Sequence, residues 1–160
     1  MNEQTFVEQV KVHERTLYRT AYSMTRNDHD ALDAVQNALT KAWIHRHKVN
    51  PAAFRAWLLR IVINECHSIR RKTKRETLVE EVEPVQVQPP PDSLLRIALD
   101  RLPDNLRLPI LLHYMEGFSI KEIAMMLRIP AGTVTWRMSK ARILLKEELS
   151  EKGAILHGGF

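Results

Sequence analysis

At 160 residues, with 44% apolar and 27% charged side chains, the chain can bury one compact core or two small ones and reads as a soluble protein. The single cysteine, Cys66, excludes an internal disulfide and suits a reducing compartment. No apolar run approaches the roughly 18 residues of a membrane span, and no signal-peptide h-region opens the chain, so a cytoplasmic protein without membrane insertion of its own is expected. The formal charge of +5 favours a polyanionic partner, and its distribution says more than its total. Residues 1–75 carry 14 Lys/Arg and 7 Asp/Glu, residues 76–92 none and 5, and residues 93–160 carry 10 and 7. Two basic modules flanking an acidic strip are therefore expected.

In chain order, Phe6, Val10, Leu17, Ala21 and Met24 fall at helical spacing and predict a helix from about Glu3 to Met24. Arg26-Asn27-Asp28 is a turn that supplies caps for a second helix, Asp30 to about His47. Ala31, Ala34, Val35, Ala38, Leu39 and Ala42 form its inner stripe, and Asp33, Gln36, Asn37, Thr40 and Lys41 face outward. His45 to Ala53 is a loop in which Pro51 can open the next helix. That helix, Phe54 to Arg71, is apolar at Phe54, Trp57, Leu58, Ile61 and Val62 and ends in Arg70, Arg71, Lys72, Lys74 and Arg75. A helix dipole accounts for two such cations. Five in so short a stretch match phosphate neutralisation better. Trp57 is placed in the core by its spacing, although an aromatic beside such a cluster is also a stacking platform for an unpaired base.

Residues 76–92 lack a helical stripe and hold four prolines with only acidic charge, which reads as an extended spacer. Ser93 to Leu102 is a helix, and Leu102-Pro103-Asp104 starts another in which Leu106, Ile110, Leu111 and Tyr114 point inward and Pro109 kinks the axis. Ser119 and Glu122 have the spacing of a capping box, with Phe118 and Ile123 as a hydrophobic staple. Ile120, Ile123, Ala124 and Leu127 give the short helix that follows its apolar face, and Arg128 stands where a glycine is favoured. After Pro130 a second helix repeats Val134, Met138, Ala141 and Leu145 inside. Its other side carries Thr133, Trp136, Arg137 and Lys140, with Arg142 and Lys146 nearby. This is a helix-turn-helix pattern, whose second helix enters the major groove. Residues 151–160, rich in glycine, read as a frayed tail.

The segments 30–43, 54–64, 70–75 and 100–142 together resemble the sigma-70 superfamily of bacterial RNA polymerase sigma factors, in its extracytoplasmic-function group. The resemblance implies an all-α fold of two small helical domains, 1–75 like region 2 and 93–150 like region 4, joined by the 76–92 linker. It implies that Asp33, Gln36, Asn37, Thr40, Lys41 and Trp43 dock on core RNA polymerase. The loop at 47–53 with Asn64, His67, Arg70, Arg71, Lys74 and Arg75 would hold the opened −10 strand. Thr133, Thr135, Trp136, Arg137, Lys140 and Arg142 would read the −35 element. Promoter DNA, core polymerase and an anti-sigma factor are the implied partners, without cofactor, metal or catalytic residue. The chain departs from the family pattern at Leu32, Asn37, Ser68 and Arg128.

Three other readings compete. Metal chemistry at His45, His47, Cys66 and His67 lacks any known ligand spacing, and no glycine-rich phosphate loop or G-x-S-x-G occurs. A stand-alone helix-turn-helix repressor or activator, dimerising through its N-terminal half, would have no need of the cluster at 70–75. A purely structural adaptor would leave both basic faces unexplained.

Overall fold

The computed structural model describes residues 1–76 and 94–151, and all the elements among them are helical. They form two compact units. In the first, α1 (Glu3–Thr25), α2 (Asp28–Ile44) and α3 (Phe54–Glu76) pack mutually. The second contains α4 (Leu94–Arg101), α5 (Asp104–Ile110), the start of α6 (Ile120–Leu127) and α7 (Ala131–Glu151), with α4 and α5 laid against α7. The spacer at 77–92 and the tail at 152–160 lie outside the described residues.

Local chemistry sets the boundaries. Asn2 and Asn27 cap α1 and α2 by accepting from the amides of Thr5 and Asp30 at 2.8 and 2.9 Å, which satisfies donors the first turn leaves orphaned. Arg26 closes α1 in the left-handed region with φ 54°. Between α2 and α3 the chain makes two short 3₁₀ turns, Arg46–Lys48 and Pro51–Ala53, so α2 ends earlier than its sequence pattern predicts. Pro51 opens the second of these turns, whose cap is Asn50. The α3 helix continues beyond Arg71 through the whole basic cluster.

The first core is alanine-rich on one side and bulky on the other. Ala31, Ala34, Ala38 and Ala42 are fully buried and let α2 approach Phe54, Leu58, Leu59, Val62, Ile63 and Cys66 of α3 closely. Phe6 meets Trp43 and Phe54 edge-on at centroid distances of 5.3 and 5.7 Å. Four expected inner positions differ. Val35 and Leu39 of α2 and Trp57 and Ile61 of α3 are only half-buried, and on α3 Leu59, Ile63 and Cys66 occupy the inner face.

In the second unit Pro109 lies buried within α5, and the chain then widens into a π turn over Leu111–Met115, closed by Glu116 N–H to Leu111 O at 3.2 Å. Proline removes one helical hydrogen bond and crowds the previous turn, and the wide turn follows on its C-terminal side. The extra residue rotates the register. Leu112 turns inward and Tyr114, expected inside, is 61% exposed. Gly117 then takes φ 76°, a conformation that suits glycine. Arg107, 3% exposed, donates to Leu102 O at 2.7 Å and pairs with Asp104, fixing the α4–α5 corner.

Candidate nucleic-acid interface

In a helix each residue turns the direction by about 100°, so the buried α3 residues define an opposite, outward line. Along it run Arg60, Asn64, His67, Arg71 and Lys74/Arg75, at spacings of four and three. Asn64, His67, Arg70, Arg71, Lys74 and Arg75 are all exposed. His67, Arg70, Arg71, Thr73 and Lys74 also wall an open cleft of about 460 Å³ with Thr25 and Asp30 from the adjoining helices. Asn64 lies outside that cleft, one turn toward the half-buried Trp57. Arg71 donates to Ser68 Oγ at 3.2 Å and Arg75 to Arg71 O at 3.4 Å, so hydrogen bonds along the helix hold part of the cationic array in place. Arg60 is a position the sequence reading missed, although its spacing to Asn64 and His67 signals it. The arrangement offers cations and an aromatic edge on one surface, the combination that holds single-stranded nucleic acid.

The four residues weighed as metal ligands do not converge. Cys66 is wholly buried, its Sγ 4.0 Å from Ala21 O, whereas His45, His47 and His67 are exposed. Burial pushes the Cys66 thiol up to about 12, with the Glu65 carboxylate adding to the rise.

On α2, Asp33, Gln36, Asn37 and Thr40 share the outward face, and the exposed Ile44 extends it by a further turn. The other two residues assigned to this surface have work inside the unit. Lys41 pairs with Glu65, a carboxylate 7% exposed between α2 and α3. Trp43 is half-buried against Phe6, with the Arg46 guanidinium 3.8 Å over its ring.

The helix-turn-helix is built by α6 and α7. Ser119 Oγ accepts from the Glu122 amide and Glu122 Oε1 from the Ser119 amide, both at 3.1 Å, completing the capping box. Arg128 closes α6 at φ 57°. Ile129 N–H returns to Ala124 O at 3.1 Å, a closure that usually employs glycine. On α7, Val134, Met138, Ala141 and Leu145 are buried as expected. Trp136, 63% exposed, heads the opposite face with Lys140 beside it, and Thr133 and Arg137 lie on one flank. Arg142 does not join them. It lies on the other flank, where it donates to Tyr114 Oη at 2.8 Å, in line with Thr135 and Lys146.

Residues 9–76 match the sequence profile of Sigma-70 region 2, and residues 93–145 that of Sigma-70 region 4. The chain is 36% identical over 141 residues to the ECF RNA polymerase sigma factor SigM of Mycobacterium tuberculosis, covering 83% of this chain and 71% of that protein. It is 29% identical over 146 residues to the RNA polymerase sigma factor SigV of Bacillus subtilis, covering 88% of each. It is also 31% identical to the ECF factor SigE of Mycolicibacterium smegmatis, of whose length it spans 61%. Among solved structures, the sigma factor RpoE in complex with the anti-sigma factor NepR from Bartonella quintana superimposes with a TM-score of 0.78 at 28% identity, covering 92% of this chain and 98% of that one. CnrH in complex with the cytosolic domain of CnrY gives 0.71 at 27%, covering 94% and 90%.

Proposed function

The chain belongs to the extracytoplasmic-function (ECF) group of RNA polymerase sigma factors, and from that we propose that it directs core RNA polymerase to promoters. In this reading α7 enters the major groove of the −35 element, and the outward line of α3 holds the melted −10 strand. The outer face of α2, Asp33, Gln36, Asn37 and Thr40 with the exposed Lys41 at its flank, docks on the polymerase, while the half-buried Trp43 braces it. The observation that supports it most is the pairing of two chemically different basic surfaces, one per unit. The α7 surface is a narrow helix face suited to duplex. The α3 surface combines cations, Asn64 and the Trp57 edge and suits an unpaired strand.

The mechanism requires no covalent step by this chain. Phosphate contacts from Arg70, Arg71, Lys74 and Arg75 offset the repulsion of an opened strand, and stacking offsets lost base pairing. The residues at 76–92 act as the spacer between the two readings. The protein works in the cytoplasm, and an anti-sigma factor, as NepR is in its complex with the sigma factor RpoE, holds it inactive by covering these surfaces. The discriminating experiment is a mobility-shift titration of promoter duplex with the chain alone and with core polymerase. Weak binding alone and tight, salt-sensitive binding with core are expected. Tight duplex binding by the chain alone, unchanged by core, would replace this reading with that of a stand-alone repressor or activator.

A further inference from the structure

The α7 surface has an unusual composition for a polyanion-binding helix, because two of its most outward positions, Trp136 and Ile143, are large and apolar. Trp136 is 63% exposed and Ile143, two turns on, is 54% exposed, and both point directly away from the buried Val134, Met138, Ala141 and Leu145. The cations stand to either side. Arg137 and Lys140 occupy one flank, and Arg142, hydrogen-bonded to Tyr114, occupies the other with Lys146. A helix about 10–12 Å wide nearly fills a major groove of about 12 Å. Such a helix would present its flanks to the two phosphate backbones and its apolar ridge to the base edges. Gly132 stands one turn before Trp136, with nothing within 4 Å of the place a Cβ would take. Helical side chains lean toward the N-terminus, so the indole has room over the end of α7 that enters the groove first.

Only one base presents an apolar group there, the 5-methyl of thymine. We propose that Trp136 is a specificity-determining residue that reads a thymine methyl group in the −35 element. The inference rests on the DNA-reading assignment of α7 made above and adds the chemistry of what is read. A donor-only role for the indole N–H is less consistent with the ridge, since Ile143 continues it without any polar atom.

The test uses the holoenzyme on one of its own promoters, with each −35 thymine replaced singly by deoxyuridine, which removes the methyl group alone. One or two replacements should weaken binding about fourfold, the ratio expected for burying one methyl group. The same replacements should change binding by Trp136→Ala less than twofold, while Trp136→Phe keeps most of the methyl dependence. Circular dichroism of the variants checks that this exposed position leaves the helices intact. A −35 element without thymine, uridine replacements without effect on the unmodified protein, or equal effects on it and on Trp136→Ala would overturn the inference. If scrambling the whole −35 element leaves binding unchanged, the assignment of α7 itself fails, and the inference with it.

Discussion

Arg128 holds φ at 57° at the close of α6, a region that costs a non-glycine residue roughly 1–2 kcal/mol. Glycine there would relieve that strain but lose about 0.5–1 kcal/mol in chain entropy. Arg128→Gly is therefore expected to stabilise the C-terminal unit by about 0.5–1 kcal/mol and raise its melting temperature by a few degrees; a lower melting temperature would show that the arginine makes a compensating contact. Lys41 and Glu65 form the opposite case. The carboxylate is nearly buried while the ammonium keeps 60% of its side chain exposed, so Lys41→Ala should cost about 1 kcal/mol, more than a surface pair and less than a buried one. Adding Glu65→Met should recover most of that loss in urea unfolding, because the uncompensated charge is then gone. Cys66 gives a pH signature. Its thiol is pushed up to about 12 from 9.0, so the unfolded chain ionises first. This contribution to stability is complete below pH 9 and is lost as pH rises toward 12. Cys66→Ala should flatten that part of the stability profile, and an unchanged slope would contradict it. The glycine-favoured position of Arg128 was legible in the sequence, whereas the pairing of Lys41 with Glu65 was not. Glu65 and Arg107 are charges whose burial depends on partners chosen by packing, and periodicity describes only the faces of one helix at a time.

At the scale of the element, local rules carried further. The S-x-x-E spacing at Ser119 became a capping box, and the alternation of Val134, Met138, Ala141 and Leu145 became the inner face of α7. Both features reside within one or two turns of chain. Ser119→Ala should therefore destabilise the C-terminal unit by about 1 kcal/mol, measured by thermal unfolding. A change within error would mean that packing alone fixes the start of α6. The α5 segment shows where such reasoning stops. Pro109 announced a disturbance, but the spacing of apolar residues did not indicate a π turn rather than a simple kink. Tyr114 consequently points outward and meets Arg142, and no spacing rule anticipates that. Likewise the outer face of α2 was readable at Asp33, Gln36, Asn37 and Thr40, whereas Trp43 belonged to a cluster assembled with Phe6 of α1. On the proposed docking face, Thr40→Arg should weaken binding to core polymerase at least tenfold without altering the helical content. Equal affinity would remove that face from the polymerase contact.

For the whole molecule, the charge segregation visible along the chain runs alongside a division into two compact units, and the central claim is that they act together through polymerase on one promoter. The most direct measurement is multi-round transcription by purified core RNA polymerase on fragmented DNA from the source genome, with and without this protein, mapping the start sites. The account predicts new discrete starts that require the protein, preceded by shared −35 and −10 sequences at a fixed separation. It also predicts that these starts disappear when Arg70, Arg71, Lys74 and Arg75 are replaced together by alanine. Absence of protein-dependent starts with a core enzyme active on its other promoters would contradict it.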